Sequence, residues 1–224
     1  MDGPEVLHPI LDVSHETIGR LEAFDMLLRK WQRKTNLVGS DTLDAYWSHH
    51  VGDGAFLYAH APDVPSWIDI GSGAGLPGLI LAILAAGEGK AVRVELVESN
   101  AKKCAFQRAA VLELGLRADV DVRIVNRRIE EHRATDDATL TARALAPLSD
   151  LLIHMRTLGL RRGLFLKGER HVEEIAQAGE ASGFVVETIP HPLRQGSVLL
   201  DVRLPNHRQA HDRAAMNTAS RCPI

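Results

Sequence analysis

The chain has 224 residues, 45% of them apolar, enough for one α/β body with some elaboration. Its net charge of −3 argues against indiscriminate nucleic-acid binding, although "RKWQRK" at 29–34 and pairs such as Arg127-Arg128 leave room for a local basic face. No apolar run reaches the roughly 20 residues that cross a bilayer, "MDGPEVLHPILDVSHE" is no secretion signal, and Cys104 and Cys222 make neither a disulfide framework nor a zinc quartet, so the expected home is a reducing cytoplasm.

The first 60 residues read as helical. Ser14 is placed to cap a helix whose apolar positions Ile18, Leu21, Phe24, Leu28 and Trp31 recur every three or four residues, giving one face that must pack on a body. A second helix is expected over about 41–60, ended by the Pro-rich "HAPDVPS". From residue 66 short β-type runs alternate with helical stretches: "SWIDIG", "AVRVELVE", "VDVRIV", "ATLTAR", "GLFLKG", "GFVVETI" and "SVLLDVRL", with helices such as 76–86, 100–114 and 169–181 between them. This alternation predicts a doubly wound parallel sheet covered on both faces. The last two strands follow each other through "PHPLRQG" and predict an antiparallel closing hairpin. The expected organisation is a helical extension over 1–62, a core over 63–205 and a polar tail over 206–224, together one structural domain.

The glycine turn "DIGSGAGLPG", residues 69–78, follows the first strand, where a doubly wound sheet binds its ligand. Counting from Gly71, a dinucleotide turn needs glycine at 76, and the residue is Leu76. Counting from Gly73 the pattern G-x-G-x-x-G is met through Gly75 and Gly78, but it starts two residues late and sets Pro77, which has no N–H, where a pyrophosphate needs a donor. S-adenosylmethionine has no phosphate. Asp69 at the strand end is suited to its ammonium, the glycine N–H groups to its carboxylate, and Glu98, ending the next strand, to the ribose hydroxyls. An acid at that second place serves NAD equally; Asp69 and the glycine register separate the two. Asp69 also has a plainer reading as a residue capping the turn.

Further motifs follow in order: "WQRKTNL", "YWSHHVGDG", "VESNAKKCAFQRAAVLELGL", "RIEE", "TARALAPL" and "LKG". With the glycine turn, they make the chain resemble the RsmG (GidB) family of bacterial 16S rRNA guanine-N7 methyltransferases across about residues 28–170. The resemblance implies a Rossmann-like class I SAM-dependent methyltransferase fold, with a seven-stranded, mostly parallel sheet and an N-terminal helical extension. It implies cofactor contacts by Gly71, Leu76, Ile129, Glu130 and Arg143; with the glycine turn and the acids, the expected cofactor set is Asp69, Gly71, Gly73, Gly75, Leu76, Gly78, Glu98, Ser99, Ile129, Glu130 and Arg143. The implied acceptor is N7 of guanine 527 in 16S rRNA, presented by the 30S subunit or its precursor. The sequence departs from the family pattern at Gln32, Val38, His49 and Gly54, within the helices where RNA contact is expected.

Guanine N7 has a lone pair and no hydrogen, so it needs alignment rather than a general base. The chain matches that demand: it has no (Asp/Asn)-Pro-Pro-aromatic loop for an exocyclic amine and no Pro-Cys nucleophile for cytosine C5. Arg143 and Lys167, ending the fourth and fifth strands, are the candidate catalytic residues. Arg143 could orient the cofactor carboxylate or meet guanine O6; Lys167 could meet phosphate, and either could simply be solvated. Candidate RNA contacts are Arg29, Lys30, Arg33, Lys34 and Lys102, with Asn36 and His50 on resemblance alone. His207, His211 and Asp212 have chelate-like spacing in the polar tail but no further ligand, and no metal is expected. A monomer is expected. Three alternatives are a small-molecule methyltransferase, an NAD-dependent oxidoreductase and a cofactor-binding regulator without activity.

Overall fold

A computed structural model describes residues 2–39, 42–118, 120–134, 137–179 and 183–205. The tail residues Cys222, His207, His211 and Asp212 lie outside the described residues. Helix α1 spans His15–Gln32, and a wide helical turn over Tyr46–Val51 runs into α2, Gly52–His60. The core follows as β1 Ser66–Ile70, α3 Gly78–Gly87, β2 Arg93–Glu98, α4 Ala101–Glu113, β3 Asp121–Asn126, β4 Thr139–Arg143, α5 Leu148–Thr157, β5 Arg162–Lys167, α6 His171–Ala178, β6 Val185–Pro190 and β7 Val198–Arg203.

The seven strands form one sheet in the order β3-β2-β1-β4-β5-β7-β6. The first five neighbours are parallel, and β7 runs antiparallel to both β5 and β6. The chain leaves β1 to either side, towards β2 and towards β4. This is the switch point at which a doubly wound sheet opens a crevice beyond its strand ends. The fold is the doubly wound sheet with closing hairpin that the strand–helix alternation predicts, and it is the Rossmann-like class I methyltransferase fold that the family resemblance implies.

Local chemistry explains the elements. Ser14 Oγ accepts the Thr17 N–H at 3.2 Å and caps α1, which buries Leu21, Phe24, Leu27 and Leu28. Helix α3, "GLILAILAAG", is apolar all round because α1 and α2 cover the side that the sheet does not. Gly54 lets α2 close on α3: a Cβ there would overlap the Ile80 side chain. One apolar cluster consequently runs from Leu21 and Phe24 through Trp47 and Leu57 to Leu79 and Leu96, so the N-terminal helices share the core of the sheet. The second helix begins later than the sequence suggests, because residues 42–45 form a turn before the wide helical segment.

Candidate functional site

The glycine turn is held from three sides. Glu98 Oε2 accepts the Gly73 N–H at 2.9 Å, and Oε1 accepts the Asn100 N–H at 2.7 Å. Asp69 Oδ2 accepts the Gly78 N–H at 2.9 Å, and Gln107, buried on α4, donates to Ser72 Oγ and to the Gly73 carbonyl. Asn126 steadies the end of β2 by donating to the Glu98 and Ser99 carbonyls. Gly71 takes φ +62°, and its bare Cα faces Leu145. The Leu76–Pro77 peptide is cis.

Two cavities open beside this turn. The first, about 590 Å³, is lined by Gly71, Val97, Glu98, Ser99, Lys103, Arg127, Arg128, Ile129, Glu130, Arg143, Leu145 and Ile153, among others. The second, about 720 Å³, is lined by Val38, Gly39, His49, His50, Asp53, Gly73, Leu76, Lys167, Arg170 and Arg194, among others. They share Gly71, Lys103 and residues Arg143 to Ala146. The β4 end thus stands between the two spaces.

Of the expected cofactor set, Gly71, Glu98, Ser99, Ile129, Glu130 and Arg143 line the first cavity, while Gly73 and Leu76 line the second. Asp69, Gly75 and Gly78 line neither. Asp69 is fully buried beneath the turn, where burial pushes its carboxyl up to about 7 against the opposing pull of the Gly78 N–H, and its Oδ1 has no hydrogen-bond partner. Asp69 thus fastens the turn through the Gly78 N–H with one oxygen and keeps the other unpaired.

S-adenosylmethionine fits this donor set. Each Glu98 oxygen spends one lone pair on a backbone N–H and keeps capacity for a hydroxyl donor. Val97, Ile129 and Ile153 offer apolar wall for a flat ring, and Lys103 and Arg143 offer cations for a carboxylate.

The segment after β4 is pinned along its length. Lys167 Nζ donates to the Ala146 carbonyl at 2.6 Å and pairs with Glu174 at 2.7 Å; the same Glu174 accepts the Leu148 N–H. Between these ties Ala144 adopts φ +51°, the sole left-handed non-glycine among the described residues, and Leu145 lies over Gly71. Lys167 lines the second cavity, but its ammonium is engaged in this tie.

A polar cluster that the sequence does not disclose lies under the second cavity. Asp53, 1% exposed, accepts from Arg143 Nη1 at 3.2 Å and pairs with Arg194; His191 Nε2 lies 3.2 Å from its other oxygen. Burial raises the Asp53 carboxyl, but His191 and the two arginines outweigh it and hold the group below the usual range. Arg143 Nη1 also lies 2.7 Å from His50 Nδ1, and Arg194 Nη1 lies 3.0 Å from His49 Nδ1. A guanidinium only donates, so both Nδ1 atoms are acceptors and both rings are neutral with the proton on Nε2. Burial and then Arg143 accordingly push His50 down to about 3. His50 backs Arg143 and is 1% exposed.

The basic run divides. Arg29 is spent on Asp25, both oxygens at 2.9 Å, and on the Leu43 carbonyl, so it staples α1 to the following segment. Gln32 bonds Leu37 N–H, Val38 N–H and the Val38 carbonyl, shaping the lip of the second cavity. Lys30, Arg33, Lys34 and Asn36 are exposed leading to that lip. Lys102 is exposed at the start of α4, whereas its neighbour Lys103 lines both cavities. Among the described residues no group of three or more His, Cys, Asp or Glu could hold a metal ion, and no helix is long and apolar enough to cross a membrane.

Comparison with known proteins agrees with this architecture. The sequence profile of the family GidB, rRNA small subunit methyltransferase G, matches residues 17–192. The ribosomal RNA small subunit methyltransferase G of Ruegeria sp. (strain TM1040) is 39% identical over 197 residues, covering 86% of this chain and 93% of that protein. Its namesake from Methylobacterium radiotolerans is 44% identical over 185 residues, covering 80% and 83%. In fold, the chain is similar to magnesium protoporphyrin IX methyltransferase from Synechocystis PCC 6803 with bound SAM, at TM-score 0.56 and 17% identity over 87% of this chain and 99% of that one.

Proposed function

Because the chain belongs to the family of rRNA small subunit methyltransferase G, whose members are SAM-dependent, we propose that it methylates N7 of a guanine in 16S rRNA. The family target, guanine 527, is the proposed position, and the 30S subunit or its precursor the proposed acceptor. The observation that carries this reading is the shared wall: Arg143 borders both a cavity suited to S-adenosylmethionine and a second cavity lined by Lys103, Lys167, Arg170 and Arg194.

S-adenosylmethionine supplies an electrophilic methyl group on a sulfonium. Glu98 would hold the ribose hydroxyls, Ile129 and Val97 the adenine face, and Lys103 the carboxylate. In the transfer the N7 lone pair forms the new N–C bond as the methyl–sulfur bond breaks, and no proton has to leave. The protein's share of the work is then alignment and electrostatics. Arg143 Nε and Nη2 make no hydrogen bond to the described residues, so they are free to meet a purine edge or the cofactor. Asp69 keeps the glycine turn in shape, and Lys167 keeps the segment after β4 in place. The second cavity, with its guanidiniums and lysines, favours a polyanionic acceptor over a small apolar one, which is why RNA is preferred here to a small molecule.

Incubation with methyl-labelled S-adenosylmethionine and 30S subunits lacking the modification tests this reading. Label in 16S rRNA supports it. Label in neither RNA nor subunit, from protein that binds the cofactor, overturns it.

A further inference from the structure

Asp53 carries two guanidiniums on one buried carboxylate. Arg143 reaches it from the end of β4, and Arg194 from the turn between β6 and β7. A buried ion pair is weak evidence for stability, since apolar replacements are often neutral or favourable. One cation would already neutralise the carboxylate. Here a second cation and the rings of His49, His50 and His191 complete a polar floor that opens on a cavity instead of closing a core.

The contacts are one-sided in a particular way. Both Asp53 and His50 hold Arg143 through the same nitrogen, Nη1, at 3.2 and 2.7 Å. The opposite edge of the guanidinium, Nε and Nη2, is left for a ligand. An arginine side chain in solution samples many rotamers, and fixing one of them in advance spares that cost during recognition.

We infer that Asp53 is the positioning residue of the acceptor site: with His50 it grips one edge of the Arg143 guanidinium and presents the other edge to O6 of the acceptor guanine, leaving the N7 lone pair free for the methyl group. Arg194 pairs with the other oxygen of the same carboxylate and so fixes the orientation from which Asp53 meets Arg143. The inference rests on the guanine acceptor proposed above, and on Asp53 acting through Arg143 rather than touching RNA itself.

A double-mutant cycle on 30S subunits tests it, with kcat and KM measured for wild type, Asp53→Asn, Arg143→Ala and the pair. The expected result is a fall in kcat of about tenfold or more for Asp53→Asn in the wild-type background, and under about threefold in the Arg143→Ala background. Losses that multiply would overturn the inference, because Asp53 would then act independently of Arg143. If Asp53→Asn fails to fold, His50→Ala takes its place: a loss confined to the background containing Arg143 supports the inference, and no loss or a multiplying loss overturns it. If the wild type transfers no methyl to RNA, the guanine reading falls by itself, and the side-chain NMR signals of Arg143 decide the role of Asp53. Broadening or a shift on Asp53→Asn supports the grip; unchanged signals refute it.

Discussion

Leu145 covers Gly71: a Cβ on Gly71 would stand 2.5 Å from Leu145 Cδ1, on a backbone already at φ +62°. This pair lines both cavities, so the glycine turn and the segment after β4 are fitted to each other where the two spaces meet. Gly71→Ala meets two penalties together, a left-handed L-residue at roughly 1–2 kcal/mol and displacement of Leu145. Calorimetric titration with S-adenosylmethionine is expected to show at least about tenfold weaker binding. Wild-type affinity would mean that Gly71 and Leu145 have room to part.

Glu98 accepts from Gly73 and from Asn100 with its two oxygens. Glu98→Gln keeps the shape but sets an NH₂ against one of those N–H donors. A hydrogen bond to a charged group contributes roughly 1.5–3 kcal/mol, so a ribose hydroxyl that loses the carboxylate costs about 12- to 150-fold in affinity. Cofactor affinity is expected to fall within that range, with inhibition by S-adenosylhomocysteine weakened in parallel because both share the ribose. Equal affinity in the variant would remove Glu98 from the cofactor site.

Lys167 separates two roles cleanly. Its ammonium ties Ala146 to Glu174, with side chains 10% and 18% exposed. Lys167→Met should therefore lose stability and transfer together, by about 2 kcal/mol for breaking a mostly buried pair, or roughly 4–8 °C in melting temperature. Glu174→Gln should show the same paired loss. A variant that melts like the wild type but transfers no methyl would restore Lys167 to direct chemistry.

These cases also mark how far the sequence is legible. The five inner strands can be read because each is a short apolar run bounded by turn residues, and the edge strands β3 and β6 because their β-branched residues stand between turn residues; both signals are local. The glycine register is local too, and Gly71 and Glu98 both line the first cavity. Asp53, Arg194 and Gln107 are not legible in the same way. Asp53 looks like an ordinary helical acid, Arg194 like a surface arginine in a Pro-rich connection, and their partners arrive from distant parts of the chain. Asp69 carries a true signal whose outlet differs: the acid at the strand end reaches the Gly78 N–H, not the cavity wall. In the basic run, Arg29 finds Asp25 one turn earlier on its own helix, a pairing that charge counting overlooks.

Asp201 couples the far edge of the sheet to pH. Burial raises its carboxyl, but hydrogen bonds from Arg203, Arg162 and His60 outweigh burial and hold it far below the usual carboxylate range. Its folded pKa lies under the unfolded value of about 3.9, so its contribution is complete at neutral pH and is lost as pH falls below about 4. Asp201→Asn is expected to melt lower than the wild type at pH 7, with the gap narrowing as the pH is lowered through 4. A gap independent of pH would show that the charge on Asp201 contributes nothing.

If the site beside Arg143 delivers its methyl group to guanine N7, the product is a cationic N7-methylguanine. Borohydride and aniline scission of 16S rRNA, after reaction of the wild-type protein with unmodified 30S subunits, reads that product directly, because the cationic N7-methylguanine opens to strand cleavage. One new cleavage at a single guanine is expected, dependent on S-adenosylmethionine and reduced by Arg143→Ala. Label incorporated into the rRNA without any cleavage would contradict it, since the methyl group would then lie on an atom other than N7.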